Sequence, residues 1–287
     1  VSNRIPVILD TDIGSDIDDA IALSYLLKQP RSELLGITTV SGDVQKRAAL
    51  AEIICHAAGK GHIPIHCGRR DVLLAGPGQP NVPQYDAVKD LPHHLNRPEN
   101  TAVEFLRHTI RSRPGEVVLL TIGPYSNAAL LFALDPEIPF LVKQIVSMGG
   151  RFFTDPYPEW NVQCDPTAGA IVYAAKRKSH VSIGLDVTLQ CSMSSAEVRS
   201  RFKPEPLPVV LQMAEEWFKH TDRVTFHDPL AATVIFKPEL CGYDRGFVTV
   251  DVAQGGRTHF KEQADGPDEV AHSVHAEAFF EEYFSVF

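Results

Sequence analysis

The sequence predicts an α/β fold: one domain over residues 1–287, with a mostly parallel central sheet flanked by helices. Two observations predict it. Short β-rich runs alternate with longer runs that carry apolar residues at helical spacing, and no linker of biased composition interrupts them. Residues 6–10 (PVILD) read as a buried strand. Over 16–27, Ile17, Ala20, Ile21, Leu23, Leu26 and Leu27 share one helical face. Residues 34–40 form a second strand, 45–58 a helix and 63–65 a third strand. Residues 68–98 break the rhythm with Pro77, Pro80, Pro83, Pro92 and Pro98, a long surface excursion of the kind that often borders a site. Helix resumes at 101–111, strand at 116–122, helix at 125–134 and strand at 145–148, which Gly149-Gly150 stops. Asp165 caps a helix over 165–175 with Pro166 at its first position. A strand at 181–187 follows, then helices at 194–202, 208–220 and 228–236, a strand pair around 246–252 and a C-terminal helix. In such sheets ligands sit at the carboxyl ends of the strands, so the residues just after each strand are the ones to inspect.

Composition narrows the function classes. A hydrophobic share of 44% with 22% charged residues is that of a globular protein. The net charge of −9 argues against nucleic acid as a partner, since phosphate binding needs a basic patch, but leaves room for a neutral small molecule or a cation. Cys55, Cys67, Cys164, Cys191 and Cys241 are odd in number and form no CxxC pair, so they read as reduced, scattered thiols. No apolar run reaches the ~18 residues of a membrane helix. The opening Val1-Ser2-Asn3-Arg4 shows no signal peptide, and a cytoplasmic location is the expectation.

The segment richest in chemistry is Asp10-Thr-Asp12-Ile-Gly14-Ser-Asp16-Ile-Asp18-Asp19. Five carboxylates in ten residues, at a strand-to-helix junction, repel one another. The helix N-terminus offsets part of the repulsion, and a bound hard cation offsets far more, because calcium and magnesium take oxygen ligands. A solvated acidic helix start explains one such pair better than it explains five. The spacing is not that of an EF-hand, which needs a Glu at its twelfth position. An apolar strand followed by Asp-x-Asp also matches the phosphatases of the haloacid dehalogenase type, with Asp10 as nucleophile. Gly14 and Ser15 stand where that pattern continues with Thr or Val.

Residues 8–14 together with Asp18-Asp19-Ala20 resemble the opening signature of the inosine-uridine-preferring nucleoside hydrolases. Later landmarks follow in the family's order: residues 121–127 (TIGPYSN), 148–150 (MGG), 159–161 (EWN) with Asp165-Pro166, and 227–229 (HDP). The resemblance implies a nucleoside-hydrolase-like fold and hydrolysis of the N-glycosidic bond of a ribonucleoside to ribose and free base. It implies a calcium ion held by Asp12, Asp19, the Ile122 carbonyl and Asp228. It makes Asp12 the general base as well, and His227 the acid for the leaving group. Asp18, Asp43, Met148, Glu159 and Asn161 would bind substrate. A homo-oligomer, dimer or tetramer, is implied too.

The chemistry is coherent on its own terms. A cation polarises water and holds a vicinal diol. Nearby carboxylates favour an oxocarbenium-like transition state. A histidine near its ordinary pKa can protonate a departing base. Taken singly, Asn161 reads as a turn residue, Glu159 as a surface charge, His227 as a packed histidine, and Trp160 and Phe226 as core or pocket wall. Two departures from the family pattern bear on the substrate. The acidic motif is two residues longer, so Asp16 competes with Asp18 and Asp19. Asp43 replaces an Asn, exchanging an amide donor for a charge. A catalytically silent ribose- or nucleoside-binding relative is the remaining alternative. Base preference would lie in the loops at 68–98 and 215–225.

Overall fold

From Pro6 to Thr11 every side chain is buried, as a strand covered on both faces requires. Val7 and Leu9 join one apolar layer and Ile8 the other. The computed structural model describes residues 4–154 and 157–287, so the Val1–Asn3 part of the opening lies outside the described residues. In chain order the first half runs β1 (Ile5–Thr11), α1 (Asp18–Lys28), β2 (Ser32–Thr39), α2 (Val44–Ala57), β3 (Ile65–Cys67), α3 (Tyr85–Val88), α4 (Ala102–Ser112), β4 (Val118–Thr121), α5 (Ser126–Leu134), α6 (Ile138–Leu141) and β5 (Gln144–Met148). The second half runs α7 (Trp160–Cys164), α8 (Pro166–Ala174), β6 (His180–Ile183), α9 (Leu185–Thr188), β7 (Ser192–Ser194), α10 (Ser195–Arg201), α11 (Leu207–Trp217), β8 (Arg223–Thr225), α12 (His227–Val234), β9 (Cys241–Asp251), β10 (Arg257–Glu262), β11 (Asp268–Val274) and α13 (Ala276–Ser285).

The central sheet has the order β10-β9-β11-β6-β5-β4-β1-β2-β3. Only β9 makes antiparallel pairs, with β10 and β11, so the fold is α/β with a mostly parallel sheet. Helices α1, α12 and α13 contribute to the layer on one face, and α4, α5 and α8 to the layer on the other. Strand order reverses where β1 lies between β4 and β2, and the crevice outside the carboxyl ends of β1 and β4 is therefore the place for a ligand.

The strand expected at 181–187 stops at Ile183, because the Gly184 carbonyl accepts from the Val187 and Thr188 amides and turns the chain into α9. Asp165 caps α8 as expected, accepting from the Ala168 amide. All five cysteines are free and buried. Among the described residues no helix is long and apolar enough to cross a membrane.

Candidate active site

Residues 12–17 form the turn between β1 and α1, at the reversal of strand order. Thr11 fixes its start: the hydroxyl accepts from the Ile13 amide at 3.1 Å and donates to Asp19. Asp18 and Asp19 occupy the first turn of α1, where the helix dipole favours anions. Helix α12 packs against α1 and brings Asp228 to the same point, its backbone amide donating to Asp18 Oδ2 at 3.1 Å. Oxygens of Asp18, Asp19 and Asp228 then lie within 4.8 Å of one another, all three residues buried.

Burial pushes the pKa of each of these carboxyls well above its ordinary value, and the neighbouring carboxylates push it further. Among the leading influences on Asp18 and Asp228 there is no cationic side chain. Asp12 is also raised by burial, with Arg47 opposing. Buried carboxylates that repel one another without a compensating cation suit a hard divalent ion, and three clustered acids provide the oxygen donors. Asp12 stands beside this group: its charge acts on all three, although its oxygens are not part of the 4.8 Å cluster. Gly123 lets the chain leaving β4 pass close, since a Cβ there would come within 2.7 Å of Asp12 Oδ1.

The cluster floors a cavity of about 460 Å³, of a size to take a small-molecule ligand. Asp12, Asp16, Asp18, Asp19, Ile122, Met148, Glu159, Asn161, His227 and Asp228 all line it. Asn161 donates through Nδ2 to the carbonyls of Ile122 (2.8 Å) and Met148 (3.2 Å), which leaves its Oδ1 as the acceptor. Glu159 caps α7 and accepts from the amides of Gly150, Asn161 and Val162 at 2.7–3.1 Å. Burial outweighs those bonds and raises its carboxyl to about 7. Neither residue is the isolated turn former or surface charge that its type alone suggests.

The structure revises several sequence expectations. Asp16 lines the cavity without joining the three-carboxylate cluster, and its Oδ1 accepts from the Ile17 amide at 2.5 Å. Asp43 is not among the cavity residues: it caps α2, accepting from the Lys46 amide at 3.1 Å with Lys46 Nζ 3.8 Å away. The position resembles a ligand-binding one in sequence, but the carboxylate is used by the helix. His227 does not keep an ordinary pKa, because burial lowers it to about 4 while Nδ1 pairs with Thr188 Oγ1 at 2.7 Å. It is therefore a neutral imidazole near pH 7, with one ring N–H left to donate a hydrogen bond. Asp10 is fully buried, with Oδ1 accepting from Thr38 Oγ1 at 2.5 Å and Asn127 Nδ2 at 2.7 Å, and it does not line the cavity. A phosphatase nucleophile at that position would have no access to substrate.

Sequence inspection did not single out Ser15, Gln79, Asn81, Pro83, Leu185 or Trp217, all of which line the cavity. Gln79, Asn81 and Pro83 were signalled only as part of the proline-rich excursion, and Trp217 only by its place where the expected helix 208–220 overlaps the 215–225 loop. Trp160 is cavity wall and 47% exposed, whereas Phe226 is core.

Comparison with known proteins agrees with this geometry. The family model "Inosine-uridine preferring nucleoside hydrolase" matches residues 7–281. The chain is 30% identical to uridine nucleosidase 1 of Arabidopsis thaliana, over 85% of this chain and 78% of that protein. It is 31% identical to the pyrimidine-specific ribonucleoside hydrolase RihA of Citrobacter koseri, over 90% and 85%. Its fold is similar to that of a plant nucleoside hydrolase, with a TM-score of 0.85 and 23% identity over 99% and 98% of the two chains. A purine-preferring ribonucleoside hydrolase from Gardnerella vaginalis gives 0.82 and 24% over 98% and 97%. The acid-floored cavity at the strand-order reversal thus belongs to an N-glycosyl hydrolase, and the chain is a member of the inosine-uridine preferring nucleoside hydrolase family.

Proposed function

We propose that the chain cleaves a ribonucleoside to ribose and free base with Asp12 as general base, in a site that holds calcium through Asp12, Asp19, Asp228 and the Ile122 carbonyl. The observation that carries this reading is the convergence of Asp18, Asp19 and Asp228 within 4.8 Å, buried, with Asp12 on the same cavity wall and no cationic side chain among the leading influences on Asp18 or Asp228. When bound, calcium supplies Lewis acidity toward water and an electrostatic hold on a vicinal diol. Asp12 takes the proton from the attacking water. Asp18 accepts a hydrogen bond from one ribose hydroxyl, while Glu159 and the free Oδ1 of Asn161 accept from others. Met148 fixes Asn161 through its carbonyl and forms part of the sugar's wall. As the glycosidic bond stretches, the surrounding carboxylates favour the positive charge on the sugar. His227 donates a hydrogen bond from Nε2 to the departing base, with Nδ1 accepting from the Thr188 hydroxyl; the base takes its proton from water, and the proton on Asp12 returns to water.

Pyrimidine nucleosides such as uridine are the substrates to test first, because the relatives at 30% identity or more include uridine nucleosidases. Homo-oligomeric assembly is proposed on the family resemblance. A cytoplasmic setting is supported by five cysteines that are all unpaired and buried. The test is ribose release from a panel containing uridine and inosine, with and without chelator, by the wild type and by Asp12→Ala. Turnover that needs a divalent ion and collapses in the variant is the expected result. Unchanged turnover in Asp12→Ala would refute the assignment, and tight ribose binding without ribose release would select a silent binding relative.

A further inference from the structure

Among the described residues Arg47 is the largest side chain that is fully buried, and its hydrogen bonds go to backbone and hydroxyl oxygens. From α2 its Nε donates to the Ser41 carbonyl at 2.7 Å. Nη1 donates to the carbonyls of Asp12 and Ile13 and to Ser15 Oγ. Nη2 donates to the Gln79 carbonyl at 2.6 Å and lies 3.5 Å from that of Asn81. One guanidinium therefore joins three separate stretches of chain: the acidic turn, the loop after β2 and the proline-rich excursion.

The excursion needs such a tether. Pro77, Pro80 and Pro83 have no N–H to give, and Gln79, Asn81 and Pro83 form part of the cavity wall. The other ties around it serve the same junction. The Gln79 amide donates to Ser41 Oγ at 2.7 Å, and Ser15 Oγ donates to the Asn81 carbonyl at 3.0 Å. A Cβ on Gly42 would come within 2.4 Å of the Gln79 carbonyl, so only glycine admits this approach. Ser41 itself is held at φ +67, a left-handed conformation that costs a serine free energy and persists where the surroundings over-determine it. A planar fork with five donors can satisfy this array, and a single ammonium cannot.

We infer that Arg47 is a positioning residue for the hydrolase reaction: it clamps the 79–83 wall against the acidic turn and so sets the shape of the nucleoside cavity. The inference rests on the nucleoside hydrolase reading. Loss of the fork at constant charge falls on substrate binding more than on the bond-breaking step, because no hydrogen bond from Arg47 goes to a carboxylate, while its charge still acts on Asp12 and Asp19. Wall displacement on the ångström scale is enough to weaken productive binding severely.

The test compares Arg47→Lys, which keeps the charge and loses the fork, with Ser15→Ala, which leaves the buried arginine in place and removes one strut. KM and kcat for uridine are measured beside amide hydrogen exchange of residues 78–84. In Arg47→Lys the expected outcome is a KM raised about tenfold or more, with kcat changed by less than about threefold, and faster exchange at Gln79 and Gln84. Ser15→Ala should shift KM and exchange in the same direction by roughly twofold to fivefold. If Arg47→Lys does not fold, the Ser15→Ala result decides alone. Unchanged KM and exchange would overturn the clamp, as would a fall in kcat at constant KM. Wild-type turnover in the same assay separates that failure from a failure of the hydrolase reading, and the exchange measurement needs no turnover at all.

Discussion

Two regions of the molecule bury titratable groups, and they handle them in opposite ways. Within the sheet, Asp268 of β11 lies against Arg177, accepts from the Val248 amide at 2.8 Å and is fully buried. His180 beside it stacks on Tyr173 and pairs through Nε2 with Ser147 Oγ at 2.7 Å. Ser147, His180 and Asp268 have the residue types of a hydrolytic triad, yet all three are sealed from solvent, and His180 Nδ1 is 3.8 Å from Asp268. Its charges are satisfied from within the protein. At the carboxyl edge, Asp18, Asp19 and Asp228 are buried too, and no cationic side chain is among the leading influences on Asp18 or Asp228. Uncompensated charge facing a cavity, rather than residue type, is what separates a ligand site from a structural network.

The contrast can be broken most sharply by removing one group from each side. Asp12→Ala should lower kcat by at least ~10²–10⁴-fold, the range for a positioned acid or base, without lowering the melting temperature of the metal-free protein. Arg177→Met should do the reverse. An unpaired buried Asp268 costs about 3–5 kcal/mol in denaturant unfolding, while kcat/KM of the folded fraction stays near that of the wild type. Equal losses of activity in the two variants would erase the distinction.

The same contrast should show in acid. His180 is held neutral, with its pKa well below 6.5. Between that lowered value and 6.5 the unfolded state binds the extra proton, so this group's contribution is complete above pH 6.5 and is lost as pH falls, by at most ~1.4 kcal/mol per pH unit. Glu159 goes the other way in the metal-free protein. With its carboxyl raised to about 7, the native state keeps a proton that the unfolded chain releases near 4.5, so its contribution grows as pH falls through 7 and disappears as pH rises. Urea midpoints between pH 5 and 7.5 for His180→Gln and Glu159→Gln should therefore depart from wild type with opposite slopes. Parallel profiles would contradict the assignment.

The smallest effect concerns Asp43. As a helix cap it should cost about 0.5–2 kcal/mol when changed to Ala and leave KM within about twofold. A large rise in KM would return it to the substrate.

Most of the parallel half of the fold was legible, because β1, β2, β4 and β5 are short runs rich in apolar and β-branched residues and α1 and α2 carry helical spacing. Strand β11 was not foreseen, since only a strand pair around 246–252 was expected there. Strands β7 and β8 are three residues each, too short to show a period. At the site, Asp12, Asp18, Asp19, Glu159, Asn161 and Asp228 were legible as an ordered set of motifs. Arg47 and Trp217 were not, because their roles come from contacts across long sequence separations: Arg47 meets residues 32–35 positions away. The capping bond of Asp43 was not legible, because a cap and a ligand contact use the same carboxylate in sequence. The lowered pKa of His227 was not legible either, because it comes from burial, which the tripeptide His-Asp-Pro does not reveal.

Calorimetric titration of calcium into the metal-free wild type, Asp228→Asn and Arg177→Met bears most directly on the uncompensated carboxylates. One ion per chain in the wild type, binding weakened about a hundredfold or more in Asp228→Asn, and wild-type affinity in Arg177→Met is the expected pattern. No calcium binding in the wild type, or equal affinity in Asp228→Asn, would contradict it.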